Sequence, residues 1–481
     1  MRRVASLLAL GALGACSMDP HYVRPAPAVP SSWPQGDAYL HQSEAPLPAI
    51  TYRDIFRDAR LQALIEQALA NNQDLRQALA NIQSARALYR VQRAELFPAV
   101  DASGGATIRR SSTQNGTSNG SGGDKTVTSY DVQAGTTAWE IDLFGRLRSL
   151  NRSAFNQYLA TDAAARATRL TLVANIADAW LTLAADRSLL QIAEDTEKSA
   201  QTSVKLTQAR LEGGVAPRTD LRQAQTVLAT AQADRARQTT LVAQDINALQ
   251  LLVGAPLNDA LLPGAIEDAD GQLGELPAGL DSGILLRRPD VVEAEYQLRA
   301  ANARIGAARA AFFPRISLTA VAGFASTALS NLFTGGAFSW TVAPSATLPI
   351  FDGGANAGNL AYAKAQREAY LAAYQRTIQT AFREVADALA RRGTIDAEMR
   401  ADQLNATAAE DTLTLGTARY RQGIDPYLNT LDAQRTFYAA RQRVVDIRLT
   451  KARNLVDLYQ ALGGDQLVEA IPPVTPESPR R

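Results

Sequence analysis

The sequence predicts an α+β membrane protein made by internal duplication, each half giving two strands to a β-barrel shared between chains and two long helices that continue from it. Three observations predict this. Asp74–Pro98 and Asp290–Pro314 match without gaps at an offset of 216, through Ala78/Ala294, Ala85/Ala301, Arg93/Arg309 and Phe97-Pro98/Phe313-Pro314, and a second block, from Ala177-Asp178-Ala179/Ala386-Asp387-Ala388 to Ala224-Gln225/Ala433-Gln434, matches at 209. Ile316, Leu318, Ala320, Ala322 and Phe324 alternate with smaller or polar residues, as do Phe338, Trp340 and Val342, which is strand periodicity. From Arg146 to Glu212 no proline or glycine interrupts a helical pattern.

The chain opens with Arg2-Arg3 and twelve uncharged residues, Val4 to Ala15. That length suits the apolar core of an export signal and is too short to span a bilayer as a helix. The run ends Leu13-Gly14-Ala15-Cys16, which looks like a bacterial lipobox, so residues 1–15 are read as a signal peptide and Cys16 as the acylated first residue of the mature protein. A covalent lipid is the one attached group expected, with no other cofactor. Ser17, in place of aspartate, implies sorting to the outer membrane in that pattern. Residues 16–54 form the anchor and an extended strap, because Pro20, Pro25, Pro27 and Pro30 disfavour a helix; Trp33 follows.

The first repeat occupies 55–262, a linker of the equatorial region 263–287, the second repeat 288–464 and a tail 465–481. Each half reads helix, two strands, long helix, tight turn, long helix. In the first half the strands fall around Val100–Ile108 and Val127–Ile141, with a less regular alternation, separated by the polar loop Asn115–Asp124 that accounts for the change of offset. In the helices Ala163, Ala167, Leu170, Ala174, Ala177, Leu181 and Ala184 step by four and three, and Tyr374, Ile378, Ala381, Val385 and Ala388 do the same. At 1.5 Å per residue Arg146–Glu212 spans roughly 100 Å. Arg392-Gly393 is the expected local loosening in the second long helix. Alanine, with 89 residues, permits close helix packing. Four strands cannot close a barrel in lipid, where an open edge leaves backbone groups unsatisfied, so copies must share one: three chains give twelve strands, two give eight.

Composition removes most chemistry. Lys+Arg 49 against Asp+Glu 48 leaves no nucleic-acid surface, and the two histidines, His21 and His41, with the single cysteine leave no metal set, catalytic triad or redox pair. Neither an enzyme nor a nucleotide-driven motor is expected.

The lipobox, the Asp19-Pro20-x-Tyr22-x-x-Pro25 strap with Trp33, the two Phe-Pro junctions, Leu143-Phe144-Gly145 and Ile350-Phe351-Asp352-Gly353 together resemble the outer membrane factors of bacterial tripartite efflux systems, the TolC-like family, in its lipoprotein branch. The resemblance implies a homotrimer with a twelve-stranded barrel, a twelve-helix periplasmic tunnel, a small equatorial domain and a closed mouth. It also implies a periplasmic adaptor (membrane fusion protein) and a proton-driven inner-membrane RND transporter as partners, and passive conduction of small molecules. Type I protein secretion and metal-ion extrusion are readings on the same fold; a lipid-anchored coiled-coil scaffold without a pore is one from another class.

Two turns, Arg210–Pro217 and Arg419–Pro426, pair a helix-ending glycine with a proline that starts the next helix. By resemblance Gly213, Gly214, Val215, Pro217, Gly423, Ile424 and Pro426 are adaptor-contact tips. Leu428, Asp432 and Arg435 share a helix face at spacings of four and three. As plain helix chemistry Asp432 and Arg435 make an exposed pair worth a few tenths of a kcal/mol. By resemblance Leu428 and Asp432 close the periplasmic gate, and Tyr420 and Arg435 hold it shut.

Overall fold

A computed structural model describes residues 18–39, 51–111, 125–274 and 282–464. The signal segment 1–15, Cys16, Ser17, the loop 115–124 and the tail 465–481 lie outside the described residues. In chain order the helices and strands are α1 (Tyr52–Ile55), α2 (Ala59–Asn71), α3 (Gln73–Ala94), β1 (Asp101–Ser111), β2 (Lys125–Ile141), α4 (Arg146–Glu212), α5 (Arg218–Val253), α6 (Ile266–Ala269), α7 (Pro289–Ala310), β3 (Arg315–Ser326), β4 (Phe338–Thr347), α8 (Ala355–Arg421) and α9 (Tyr427–Ala461). The order α3-β1-β2-α4-α5 recurs as α7-β3-β4-α8-α9, which is the duplication in structural form. None of the described helices is long and apolar enough to cross a membrane.

The chain forms two compact units. The first comprises Met1–Pro25, Ile82–Thr161 and Ala294–Tyr374. Its strands make one antiparallel sheet in the order β1-β2-β3-β4. The register places Ala106, Tyr130, Phe324 and Phe338 on the same face as Ala322, Trp340, Ala320 and Val342, and gathers Ser103, Gln133, Thr319, Ser317 and Ser345 on the other. Trp340 and Phe338 are exposed. One face is thus apolar across four strands and the other polar or small. In β2 the pairing steps from Thr136↔Ala320 to Trp139↔Leu318, one extra residue, with Ala138 in the left-handed region at φ 53. This bulge switches the parity of β2, so that Val132 and Ala134 but also Trp139 and Ile141 face the same way. Hence the alternation read from sequence is irregular here.

In the same unit the strap runs antiparallel along α7. The Met18 carbonyl accepts from Arg309 (3.1 Å), the Asp19 carboxylate accepts from Ser149 (2.6 Å) and Arg152 (2.5 Å), and the Pro20 carbonyl accepts from Asn302 (2.8 Å). Arg24 then donates both its Nε (3.0 Å) and a terminal nitrogen (2.7 Å) to Glu295, which also accepts from Tyr22 (3.3 Å) and Arg299 (2.6 Å). Burial alone would raise the Glu295 carboxyl, but Arg24 and Arg299 outweigh it and hold it below the usual range. Six extended steps cover about 19 Å, and the fourteen helical steps from Arg309 to Glu295 about 21 Å, so strap and helix keep pace. Gly306 makes the fit possible, since a Cβ there would collide with Asp19.

The second unit comprises Ala26–Asn81, Asp162–Glu293 and Gln375–Arg481. Phe56, Leu64, Ile65, Trp180 and Leu249 are buried at its core, and Phe56 forms an antiparallel bridge with Leu273 of the linker region. The Trp180 indole donates to the Leu261 carbonyl (3.2 Å). Arg288 joins Asp290 (2.8 Å), Glu384 (2.9 Å) and the Ala461 carbonyl (2.7 Å), tying the start of the second repeat to both of its long helices. Trp33 of the strap stacks on Phe382, centroids 4.9 Å apart.

The long helices follow the expected spacing. Ala163, Ala174, Ala177, Leu181 and Ala184 are buried, as are Ile378, Ala381, Val385 and Ala388 in α8. One expectation is corrected. Helix α8 runs unbroken through Arg392-Gly393, because the glycine serves packing and not loosening: a Cβ at 393 would strike the Ala38 backbone of the strap.

Candidate functional site

The α4–α5 and α8–α9 turns share one backbone. In the first, Val215 N–H reaches back to the Arg210 carbonyl (2.9 Å) and Gly214 N–H to Leu211 (3.0 Å); in the second, Ile424 N–H reaches Arg419 (3.0 Å) and Gly423 N–H reaches Tyr420 (2.9 Å). These nested bonds close the last carbonyls of each helix and require a left-handed residue, supplied by Gly214 (φ 70) and Gly423 (φ 77). Pro217 and Pro426 follow as extended N-caps of α5 and α9. Gly213, Gly214, Val215, Pro217, Gly423, Ile424 and Pro426 are all exposed, and Val215 and Ile424 present bare apolar side chains.

Behind the turns the two hairpins are clasped together. Tyr420 is buried with Tyr427 (centroids 5.2 Å) against Ala224, Val204 and Leu431. The Arg210 guanidinium lies over the Tyr420 ring, 4.8 Å from its centroid, and donates to the carbonyls of Tyr420 (3.3 Å) and Arg421 (3.2 Å). A cation over a partly desolvated ring is worth about 1–2 kcal/mol. Asp220 lies beside the Tyr420 hydroxyl; burial raises both groups, and the Asp220 charge lifts the phenol further. Further along, Gln434 donates to Ser203 (3.3 Å), Tyr438 to Asp234 (3.1 Å) and Arg441 to Asp195 (3.4 Å). Asp195, Asp234, Gln434, Tyr438 and Arg441 line a groove of about 380 Å³ with Val227, Leu413 and Phe437. Burial and the Asp234 charge push the Tyr438 phenol up to about 12, so it stays a donor.

The four gate candidates separate into two environments. Leu428, Asp432 and Arg435 are exposed on α9, with Leu428 58% accessible, whereas Tyr420 is enclosed between the hairpins. Asp432 and Arg435 form no ion pair with each other, so the i,i+3 pair is not made, and neither has a hydrogen bond among the described residues. An exposed face of an aliphatic, an acid and a base without internal partners is suited to contacts outside this chain.

The comparisons with known proteins bear on the family and the fold. The family model described as "Outer membrane efflux protein" matches residues 64–255 and 281–464. The chain belongs to the outer membrane efflux protein family. Among relatives, "Probable efflux pump outer membrane protein TtgC" of Pseudomonas putida is 44% identical over 455 residues, covering 94% of this chain and 93% of the relative. "Outer membrane protein OprJ" of Pseudomonas aeruginosa is 41% identical over 461 residues, covering 96% of this chain and 95% of the relative. Among solved structures, the open state of the Neisseria gonorrhoeae MtrE outer membrane channel superposes with a TM-score of 0.83 at 34% identity, over 94% of this chain and 99% of that one. A Pseudomonas aeruginosa membrane protein gives 0.87 at 39%, over 93% of this chain and all of that one. The family fold, a helix-rich chain with a four-stranded sheet, and an outer-membrane location follow.

Sequence reasoning missed Arg210, Asp220 and Tyr427, which complete the clasp around Tyr420. The signal was present: Arg210 and Asp220 flank the first turn as charged residues with no i,i+4 partner of opposite sign on their own helices.

Proposed function

We propose that this protein is the exit duct of a tripartite efflux pump, a homotrimer whose chains share a twelve-stranded barrel and conduct small molecules passively from periplasm to exterior. The sheet carries the reading. It is apolar on one face, polar or small on the other and, among the described residues, open at both β1 and β4, an arrangement that lipid tolerates only when the edges pair with further copies. Cys16 bears the covalent lipid. A periplasmic adaptor meets the exposed tips, and an inner-membrane RND transporter supplies the energy; the name "Probable efflux pump outer membrane protein TtgC" of one relative supports assembly into a pump.

The gate is the exposed face of Leu428, Asp432 and Arg435, repeated three times around an axis, where three Leu428 side chains plug the mouth and three Asp432 carboxylates ring it. Tyr420 acts one step behind. With Arg210 and Asp220 it clasps the second hairpin to the first, so that outward movement of α9 must first break this contact. The test is single-channel conductance of the detergent-extracted oligomer in a planar bilayer. Wild type gives small, rarely open currents and the Leu428→Ala, Asp432→Ala double variant large, steady ones. An inserted, intact oligomer that conducts in neither form would falsify the pore.

A further inference from the structure

We infer that the groove between α5 and α9 binds a small amphipathic organic anion that bridges the two hairpins. The groove begins as a mismatch of side-chain size. On the first hairpin α5 lines it with Thr226, Thr230 and Ala231 beside the buried Ala200 of α4, whereas α9 brings Leu431, Gln434 and Tyr438. The small residues leave space that the larger ones do not fill, about 380 Å³. Contacts between the hairpins bound it at both ends. Toward the tips Tyr420 and Tyr427 pack with Leu431 against Ala224, and at the far end Tyr438 donates to Asp234 (3.1 Å) and Arg441 to Asp195 (3.4 Å).

Size, charge and an unused acceptor define the occupant. From Leu431 to Arg441 the groove follows about 15 Å of helix. A partner helix of that length and about 10 Å across would need roughly 1,200 Å³, several times the space present, whereas small-molecule sites hold about 300–1,000 Å³. On the walls Asp195 is met by Arg441, and Asp234 by Arg237 (3.3 Å) and the Tyr438 hydroxyl. Arg435 is left as the lining cation without a carboxylate among the described residues, so the groove complements an anion. Val227, Leu413 and Phe437 supply the apolar lining. Gln434 donates its amide N–H to Ser203 (3.3 Å), and its Oε1 is buried with no partner. A buried acceptor of this kind calls for a donor. The occupant is therefore a compact ring system carrying one acidic group for Arg435 and one N–H or O–H for Gln434. Because its walls come from both hairpins, an occupant favours their joined arrangement.

Anilinonaphthalene sulfonate meets this description, with aromatic rings, a sulfonate and an N–H, and phenylnaphthylamine is the same molecule without the charge. Fluorescence titration of the full-length oligomer in phosphatidylcholine nanodiscs should show a saturable site for the sulfonate, which Val227→Trp removes by filling the groove. Arg435→Gln should weaken the sulfonate about tenfold and leave phenylnaphthylamine unchanged. The bound sulfonate should slow amide exchange at 223–234 of α5 and 431–441 of α9 together. Equal sulfonate binding in wild type and Val227→Trp, or in wild type and Arg435→Gln, would overturn the site, as would slowed exchange on one hairpin alone. Arg435 is exposed, so its variant keeps the test decisive should Val227→Trp fail to assemble. None of these readouts uses conductance. An oligomer that binds the sulfonate but never conducts loses the channel reading and keeps this site, and one that conducts without binding does the reverse.

Discussion

The two hairpin tips share a backbone and divide the chemistry. Val215/Ile424, Gly214/Gly423 and Pro217/Pro426 are equivalent by the duplication, and each pair makes the same turn with the same hydrogen bonds. Around that constant frame the side chains diverge. Leu211 of the first tip corresponds to the buried Tyr420 of the second, Thr219 to Leu428 and Gln223 to Asp432, while Asp220 corresponds to Asn429. The first tip is the socket, offering Arg210 and Asp220; the second is the plug, offering Tyr420 to the socket and Leu428, Asp432 and Arg435 to the exterior. Duplication preserved what the backbone requires, a left-handed residue and a helix start, and left the faces free to specialise.

The largest expected effect breaks the plug. Tyr420→Ala removes a buried ring from between the hairpins and should cost about 3–5 kcal/mol of local stability, together with the Arg210 contact. Leu211→Ala, at the equivalent but only half-buried position, should cost about 1 kcal/mol. Hydrogen exchange of α9 amides near the tip reads the difference: protection should fall far more in Tyr420→Ala, and channel open probability should rise with it. Equal losses in the two variants would mean that the hairpins are interchangeable and that the clasp lies elsewhere.

A smaller effect sharpens the comparison by testing the shared frame. Gly214→Ala and Gly423→Ala each force a Cβ into the left-handed region at about 1–2 kcal/mol. The surroundings are equally open, with nothing near Gly214 and only an Arg210 nitrogen 3.9 Å from a Cβ at 423. The two variants should therefore lower tip protection by the same factor, within twofold. A much larger loss at 423 would show that the second turn is held by more than its backbone.

How much of this was legible depended on the range of the interaction. Helix α4 was readable to the residue, from Arg146 to Glu212, because uninterrupted periodicity and the absence of proline and glycine are local properties. The strands of the second half were legible for the same reason. Strand β2 was placed, at Val127–Ile141 against the observed Lys125–Ile141, but its faces were not legible, because its bulge reverses the parity at Thr136–Trp139 and only the partner strand reveals the shift. Gly393 invited a reading as a weak point, whereas its cause is a strap more than 350 residues earlier in the chain. At the site, Leu428, Asp432 and Arg435 stood out by their helical spacing. Asp220 and Arg210 did not, since their meaning lies in a tyrosine some two hundred residues away. Contacts between hairpins leave no period in the sequence.

The smallest expected effect is a difference in pH response, and its sign separates the tips. At the socket, burial raises the Asp220 carboxyl above its ordinary value, with Arg210 opposing. The folded hairpin then binds this proton more tightly than the unfolded chain, so this contribution is fully present below the ordinary carboxylate range and is lost as pH rises through the raised folded value. At the plug, the Arg419 guanidinium, 2.6 Å from Asp425, holds that carboxyl below its ordinary value. This contribution runs the other way: it is present above the ordinary range and fades as pH falls through the depressed folded value. Both groups sit near the surface, so salt screens each effect. Mild acidification should accordingly slow exchange at the start of α5 before strong acidification speeds it at the α8–α9 turn. Asp220→Asn should abolish the first change and spare the second, and Asp425→Asn the reverse. If a single substitution removed both, the tips would titrate as one unit, and the division into socket and plug would have to give way to a cooperative mouth.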